Sequence, residues 1–363
     1  MTIEGILPAL LTPFNARGDI DDSMLRKLVR YQLDAGANGF FVCGSAGEGV
    51  YMSPEERRRI VELVVSECAG QAAIIAHVGA MSTQEAAALA RDARIAGAHA
   101  VASMPPLVFR QPWPAIIEHI RSIAEASELP TYYYHIPVIT HVDVTADQIG
   151  EMAERVPGIV GLKFTSPDLF LLWGVLDQPK RKLEALYGCD QQLIQGLLTG
   201  AGGGIGSTYN YQIENVVALY GAYRRGDLES AFRLQGQVNK VIGDAAMALF
   251  GALPDEPPDH AARALRSAAE IQRRMAALGA SEEIARLGLH LRPGAGINSG
   301  LVTVGLVGRR ETRIEYTAIG DNVNVAARLQ GLADENEIAA SGDAVAAAGG
   351  PGANLFQELR ADV

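Results

Sequence analysis

The sequence predicts an α/β protein, with a (β/α)₈ barrel of the TIM type over roughly the first two-thirds and a smaller, incomplete α+β segment after it. Three observations carry this reading. From residue 5 to about 226, short β-rich apolar runs alternate with amphipathic helical stretches, the pattern of parallel βαβ units. Eight such runs occur, each followed by a helix, where a doubly wound sheet usually has fewer. The alternation stops after Gly226, and the Pro- and acid-rich stretch 251–260 reads as a boundary or exposed turn.

The strand candidates are 5–14, 39–44, 73–78, 100–105, 130–136, 159–165, 183–189 and 203–209. The helices between them carry start and stop signals. Ser53, Pro54, Glu55 and Glu56 form an N-cap with Pro and acids in the first turn, and Ser82 caps a helix that ends on Gly97. Beyond the boundary stretch, the text reads as a long Ala/Arg-rich helix (259–279), β-like runs at 289–300 and 301–308, a strand at 313–320 and a helix at 322–333.

Composition narrows the function classes. A chain of 363 residues exceeds the size at which one core stops growing, so two units are expected. With 48% hydrophobic and 20% charged residues it has the makeup of a folded globular protein. The net charge of −11 disfavours nucleic acid and anionic membranes as partners, because tracking phosphates needs clustered Lys and Arg. A small-molecule ligand is the better expectation. Cys43, Cys68 and Cys189 are scattered and odd in number, which fits neither a disulfide framework nor a thiolate metal site and suggests a reducing cytoplasm. The opening run lacks a basic n-region, and no stretch is long and apolar enough to span a bilayer.

In a TIM barrel the reactive groups sit where strands end and βα loops begin. Strand six reads IVGLKFT and places Lys163 among apolar neighbours, where desolvation lowers an ammonium pKa and frees the amine to attack a carbonyl. A snorkelling or salt-bridged Lys is the alternative. Strand five ends in YYYHIP, so Tyr134 is a candidate proton carrier, or else a core tyrosine with a satisfied hydroxyl. At the end of strand two, GSAGE offers Ser45 and a run of backbone N–H groups suited to a carboxylate. His77, His99 and His135 lack metal-ligand spacing and read as packed or surface residues.

Together these residues resemble the pyruvate-dependent aldolase family that contains N-acetylneuraminate lyase and dihydrodipicolinate synthase. The resemblance covers residues 3 to about 240. It rests on ALLTPF (9–14), GSAGE (44–48), YYHIP (133–137), GLKFTSPDL (161–169) and GSTYN (206–210), in order and at the right strand ends. It implies that Lys163 forms an imine with a C2 keto group, that Tyr134 moves protons, and that Ser45 helps hold the pyruvate carboxylate. No cofactor beyond the lysine is implied. GSTYN and GCDQQ (188–192) favour the lyase branch, with Thr165, Gly188, Asp190, Gln191 and Ser207 at positions that hydrogen-bond a sugar tail. The synthase branch fits less well, since Ile139 stands where its Arg would be, and Leu107, Val108 and Phe109 replace its loop tyrosine.

Three departures stand out. Ala46 replaces the second hydroxyl of the family's Ser/Thr pair and leaves only a backbone N–H for the carboxylate. Gln191 stands where many lyases have Glu, which removes a charge. His141 stands where Gly is usual, so the loop is expected to change shape if that Gly served a positive φ. The family's members are commonly tetramers, so a homo-oligomer follows from the resemblance unless the altered C-terminal region blocks it.

From about residue 238 the chain resembles the class III nucleotide cyclases, which divides it into 1–237 (aldolase barrel) and 238–363 (cyclase-like segment). Residues 238–252 look like the strand and turn carrying a purine-reading Lys, here Lys240, and a metal-binding Asp, here Asp244. Thr317 matches a purine-reading position. Asn324 and Arg328 are four apart on one helix face, suited to a ribose and a triphosphate. The cyclase opening strand with its first metal-binding Asp is not found. A single carboxylate holds Mg²⁺ poorly, so Mg²⁺ is expected only if this segment binds a purine nucleotide. Three readings follow: a Schiff-base aldolase acting on a sugar acid and pyruvate, a nucleotide-binding or residual cyclase module, and an inactive hybrid of the two families.

Overall fold

The computed structural model describes residues 2–178, 181–238, 241–242, 245–251, 257–281, 284, 291–309 and 313–349. The chain forms two compact units, Met1–Asn239 and Lys240–Val363. All eight expected strands are present in the first: β1 (Gly5–Pro8), β2 (Gly39–Val42), β3 (Ala73–His77), β4 (Ala100–Ser103), β5 (Thr131–His135), β6 (Ile159–Phe164), β7 (Glu184–Tyr187) and β8 (Gly203–Gly206). They pair in parallel in the order β1, β8, β7, β6, β5, β4, β3, β2. The ring closes between its two ends, where Ala9 bridges Phe41, Leu10 N–H donates to Phe41 O (3.0 Å) and Asn38 N–H donates to Ile6 O (2.9 Å).

Strand periodicity sorts the core into two shells. Side chains at alternate positions, among them Leu7, Phe41, Ile75, Tyr132 and Leu186, fill the barrel interior as one apolar cluster. Their neighbours Phe40, Tyr133, Leu162 and Tyr187 point outward and pack in the clusters that include helical residues such as Ile60 and Ile120. The helices begin as their sequences dictate. Ser53 and Glu56 form a reciprocal capping box at Pro54–Cys68, Ser82 accepts from Glu85 N–H ahead of Thr83–Ile95, and Gly97 takes the left-handed conformation just past the end.

Every strand stops short of the C-terminal limit that its apolar run suggests. Of the surplus residues, some keep a single backbone bond to the neighbouring strand, as Thr165 N–H does to His135 O (2.8 Å), and others turn to side chains. Leu11 N–H donates to Asn210 Oδ1 (3.3 Å) and Thr208 N–H to Asp190 Oδ2 (2.9 Å). The one-turn helix Pro137–Thr140 corrects another expectation. His141 itself adopts the left-handed conformation (φ +52°), its N–H donating to Pro137 O (2.8 Å), so the turn accepts a side chain without changing its hand. Holding a non-glycine residue there costs roughly 1–2 kcal/mol.

In the second unit, the expected helix at 259–279 is His260–Gly279, and the runs at 301–308 and 313–320 pair as an antiparallel hairpin, Thr303–Arg309 with Arg313–Ile319. The helix at 322–333 is Asp321–Leu332. Val241–Ile242 and Ala245–Ala246 form a small antiparallel pair, and Lys240 and Asp244 lie outside the described residues. A strand, Ile338–Ala340, parallel to Ala295–Ile297, and a helix, Gly342–Ala348, were not expected, because three small apolar residues are too short to show a period.

Gly203 marks the tightest approach in the ring, since a Cβ there would stand 2.0 Å from Gly5 O. Gly203→Ala is expected to destabilise the barrel by about 2 kcal/mol or more, read from the denaturant midpoint; an unchanged midpoint would contradict this packing.

Candidate active site at the C-terminal end of the barrel

The interior-facing positions of β5 and β6 are in register, with Tyr134 beside Lys163. The Lys163 side chain is only 4% exposed, and its Nζ lies 3.7 Å from the centroid of the Phe41 ring and 4.1 Å from that of Tyr134. Burial lowers its pKa from the usual lysine value; Tyr134 and, more weakly, Asp190 pull the other way. Cation–π contact with the two rings also favours the charged form and so opposes the lowering by burial.

Asp190 opens the turn after β7. It is buried, Thr208 N–H donates to its Oδ2, and its Oδ1 has no protein hydrogen-bond partner. Burial pushes its carboxyl up to about 6, against the pull of the Thr208 donor and the Lys163 charge. Its backbone is fixed from behind: Gln235, on the helix Leu228–Val238, donates to Asp190 O (2.9 Å) and accepts from Ile194 N–H (2.8 Å). Asp190 Oδ1 lies over Gly206, where a Cβ would come within 2.2 Å of it, and Thr165 Oγ1 lies equally close to the space above Gly188. The Thr165 hydroxyl is likewise buried and without a protein partner. Two buried oxygens without a protein partner, packed over bare glycine backbone and within electrostatic reach of the amine, form a polar patch whose donor and acceptor chemistry suits a hydroxyl-rich ligand.

The remaining expected residues lie on loops at the same end of the barrel. Ser45 is exposed in the turn after β2, and Ala46 packs against the interior cluster that holds Tyr134. Gln191 is half-buried, and Ser207 is exposed, its carbonyl accepting from Asn210 Nδ2 (2.9 Å). In the second unit Asn324 and Arg328 are both exposed on the helix Asp321–Leu332, and the backbone of Thr317 pairs with Gly305 in the hairpin.

Three residues that sequence reasoning left without a role shape this site. Phe41 walls the amine, yet in the run GFFV it reads only as core; its period-2 register with Gly39 was the available signal. Asn210 ties the loop after β8 to β1 by donating to Ala9 O (2.8 Å). His77, for which both a packed and a surface position were open, is buried, and its ring meets those of Phe41 and Tyr134 at 5.9 and 5.8 Å. Among the described residues no group of three or more His, Cys, Asp or Glu is placed to hold a metal ion.

Residues 2–251 match the model of the dihydrodipicolinate synthetase family, and residues 227–357 that of the adenylate and guanylate cyclase catalytic domain. The N-acetylneuraminate lyase of Enterobacter sp. (strain 638) is 39% identical over 244 residues, 66% of this chain and 80% of that protein. Among solved structures, CdNal from Clostridium difficile in complex with mannosamine superposes with a TM-score of 0.63 at 29% identity, over 66% of this chain and 82% of that one. YagE, a dihydrodipicolinic acid synthase family protein from E. coli K12 in complex with pyruvate, gives 0.64 at 26% identity, over 66% of this chain and 82% of that one.

The raised Asp190 carboxyl has a consequence for stability. Its pKa rises from 3.8 to about 6 on folding, so the folded state favours the proton; the stabilisation is full below about pH 4 and is lost as pH climbs through 6. Asp190→Asn cannot ionise, so its stability relative to the wild type should rise across that window in denaturation measured at a series of pH values. Parallel curves would show that the carboxyl is not shifted.

Proposed function

This chain belongs to the dihydrodipicolinate synthetase family and is a pyruvate-dependent class I aldolase, a carbon–carbon lyase, and from that premise we propose that it cleaves an N-acetylneuraminate-like 2-keto acid to pyruvate and an aldehyde sugar. The observation that carries the proposal is Lys163, buried inside the ring beside Tyr134 and close enough to Asp190 to feel its charge. The neutral amine adds to the C2 carbonyl and loses water to give an iminium. The C3–C4 bond then breaks, its electron pair passing into the iminium to form an enamine, while the C4 hydroxyl gives up its proton through Tyr134 and leaves as the aldehyde. Protonation at C3 and hydrolysis return pyruvate and the free amine. The lysine is the electron sink, and class I chemistry needs no metal.

For the ligand's two ends, we assign the turn 44–48, with Ser45 and the Ala46 N–H, to the carboxylate, and Thr165, Gly188, Asp190, Gln191 and Ser207 to the sugar hydroxyls. The neighbours that carry pyruvate and mannosamine support this division of the ligand. Residues 1–237 are the aldolase part in this reading, and 238–363 the cyclase-like part.

Borohydride added to enzyme with pyruvate should leave a carboxyethyl group on the Lys163 peptide, seen by mass spectrometry. An unmodified peptide would overturn the mechanism. Tyr134→Phe should still fold but lose about 10²–10⁴-fold in cleavage rate.

The match of residues 227–357 favours a second reading for the other unit, purine-nucleotide binding through Thr317, Asn324 and Arg328. The cyclase opening strand with its first metal-binding Asp is not found in the sequence, so binding alone is proposed. Titration with ATP or GTP, with and without Mg²⁺, should show saturation that Arg328→Ala weakens about tenfold, as loss of a charge-assisted hydrogen bond predicts. Absence of binding at millimolar nucleotide would remove this reading.

A further inference from the structure

We propose that His77 is a positioning residue for the aldol reaction, its Nδ1 fixing the turn that receives the carboxylate and its ring fixing Tyr134. The proposal rests on the Schiff-base reading above.

The starting point is backbone strain at Cys43. This residue follows β2, heads the turn 44–48, and sits in the left-handed region at φ +57°. A side chain in that conformation costs roughly 1–2 kcal/mol and persists only where its surroundings over-determine it. They do so here. His77 Nδ1 lies 3.1 Å from Cys43 O, Cys43 Sγ donates to Arg57 O (3.7 Å), and Gly49 lies so close that a Cβ there would be 1.8 Å from Cys43 O. The backbone around His77 is fixed in turn, since the buried Arg57 guanidinium donates to His77 O (2.6 Å) and Gly79 O (3.0 Å).

A carbonyl only accepts, so Nδ1 carries the proton and Nε2 is a bare lone pair. Nε2 is buried with no protein partner, and Gly79 leaves it room, because a Cβ there would stand 2.7 Å away. The ring meets Tyr134 edge to face at 90°, and Phe41 closes the third side, 5.7 Å from Tyr134. Burial and the nearby Arg57 and Lys163 charges hold the imidazole at about 3, so it adds no second positive charge beside the amine. One side chain therefore touches both halves of the machinery, by its nitrogen on one side and its ring on the other.

Two variants separate those halves. His77→Phe keeps a ring and loses the donor, whereas His77→Asn keeps a donor near the Nδ1 position and loses the ring. The readouts are the pyruvate concentration that gives half-maximal borohydride trapping at Lys163, and kcat for cleavage of N-acetylneuraminate. In His77→Phe the half-trapping concentration should rise about tenfold, as loss of one buried hydrogen bond predicts, with kcat within about threefold of wild type. In His77→Asn the pattern should reverse, with kcat about tenfold lower, since Tyr134 loses its aromatic neighbour. Adding Cys43→Gly to His77→Phe should restore trapping, because glycine adopts that φ freely. If both variants shift both constants alike, if neither shifts, or if Cys43→Gly restores nothing, the proposal is wrong. A wild type that traps no pyruvate at Lys163 overturns the Schiff-base reading itself, and is recognised before any variant is made.

Discussion

The chemistry of this protein depends on keeping one amine out of water. Lys163 sits inside a ring of eight strands whose interior is filled by aliphatic and aromatic side chains, and the cost of desolvating a charge there lowers its pKa and favours the nucleophilic neutral amine. Everything that keeps the ring closed serves that end: the parallel ladder, the Ala9–Phe41 bridge, and the glycines at which neighbouring strands nearly touch. An open sheet of the same strands would admit water to the lysine and return it to an ordinary ammonium.

The counterpart of the apolar surroundings of the amine is the buried polar patch formed by Asp190 and Thr165. Asp190 and Thr165 present buried oxygens with no protein partner, a state that normally costs free energy and is therefore retained where a ligand completes it. The two regions are built from opposite chemistry at the ends of adjacent strands, β6 and β7. Electrostatic coupling between Lys163 and Asp190 joins them, so protonation at one is felt at the other.

Much of this is legible in the sequence because period-2 alternation and helix punctuation survive in a parallel barrel. The eight apolar runs place the strands, and the motifs at their ends place Lys163, Tyr134 and Asp190 on one rim. The strand limits are not legible, since residues such as Leu11 and Thr208 look like continuing strand while their backbone groups bond to the side chains of Asn210 and Asp190. His141 shows a different limit. A residue type constrains φ only statistically, and here His adopts the hand that glycine would supply. Phe41 and His77 were given no role from sequence because a buried aromatic residue looks alike whether it fills space or walls a reaction. In the second unit, Ile338–Ala340 is too short to carry a pattern.

The hold of Gln235 on Asp190 O and Ile194 N–H sets where the barrel can be cut. A truncation after Gly226 would keep all eight β/α repeats and look complete by topology, yet it would discard the side chain that pins the Asp190 backbone from behind. The smallest fragment retaining this support must run through the helix ending at Val238, into the stretch matched by both families. The junction of the two families therefore lies within the aldolase's own supporting framework, and any excision there has to respect it.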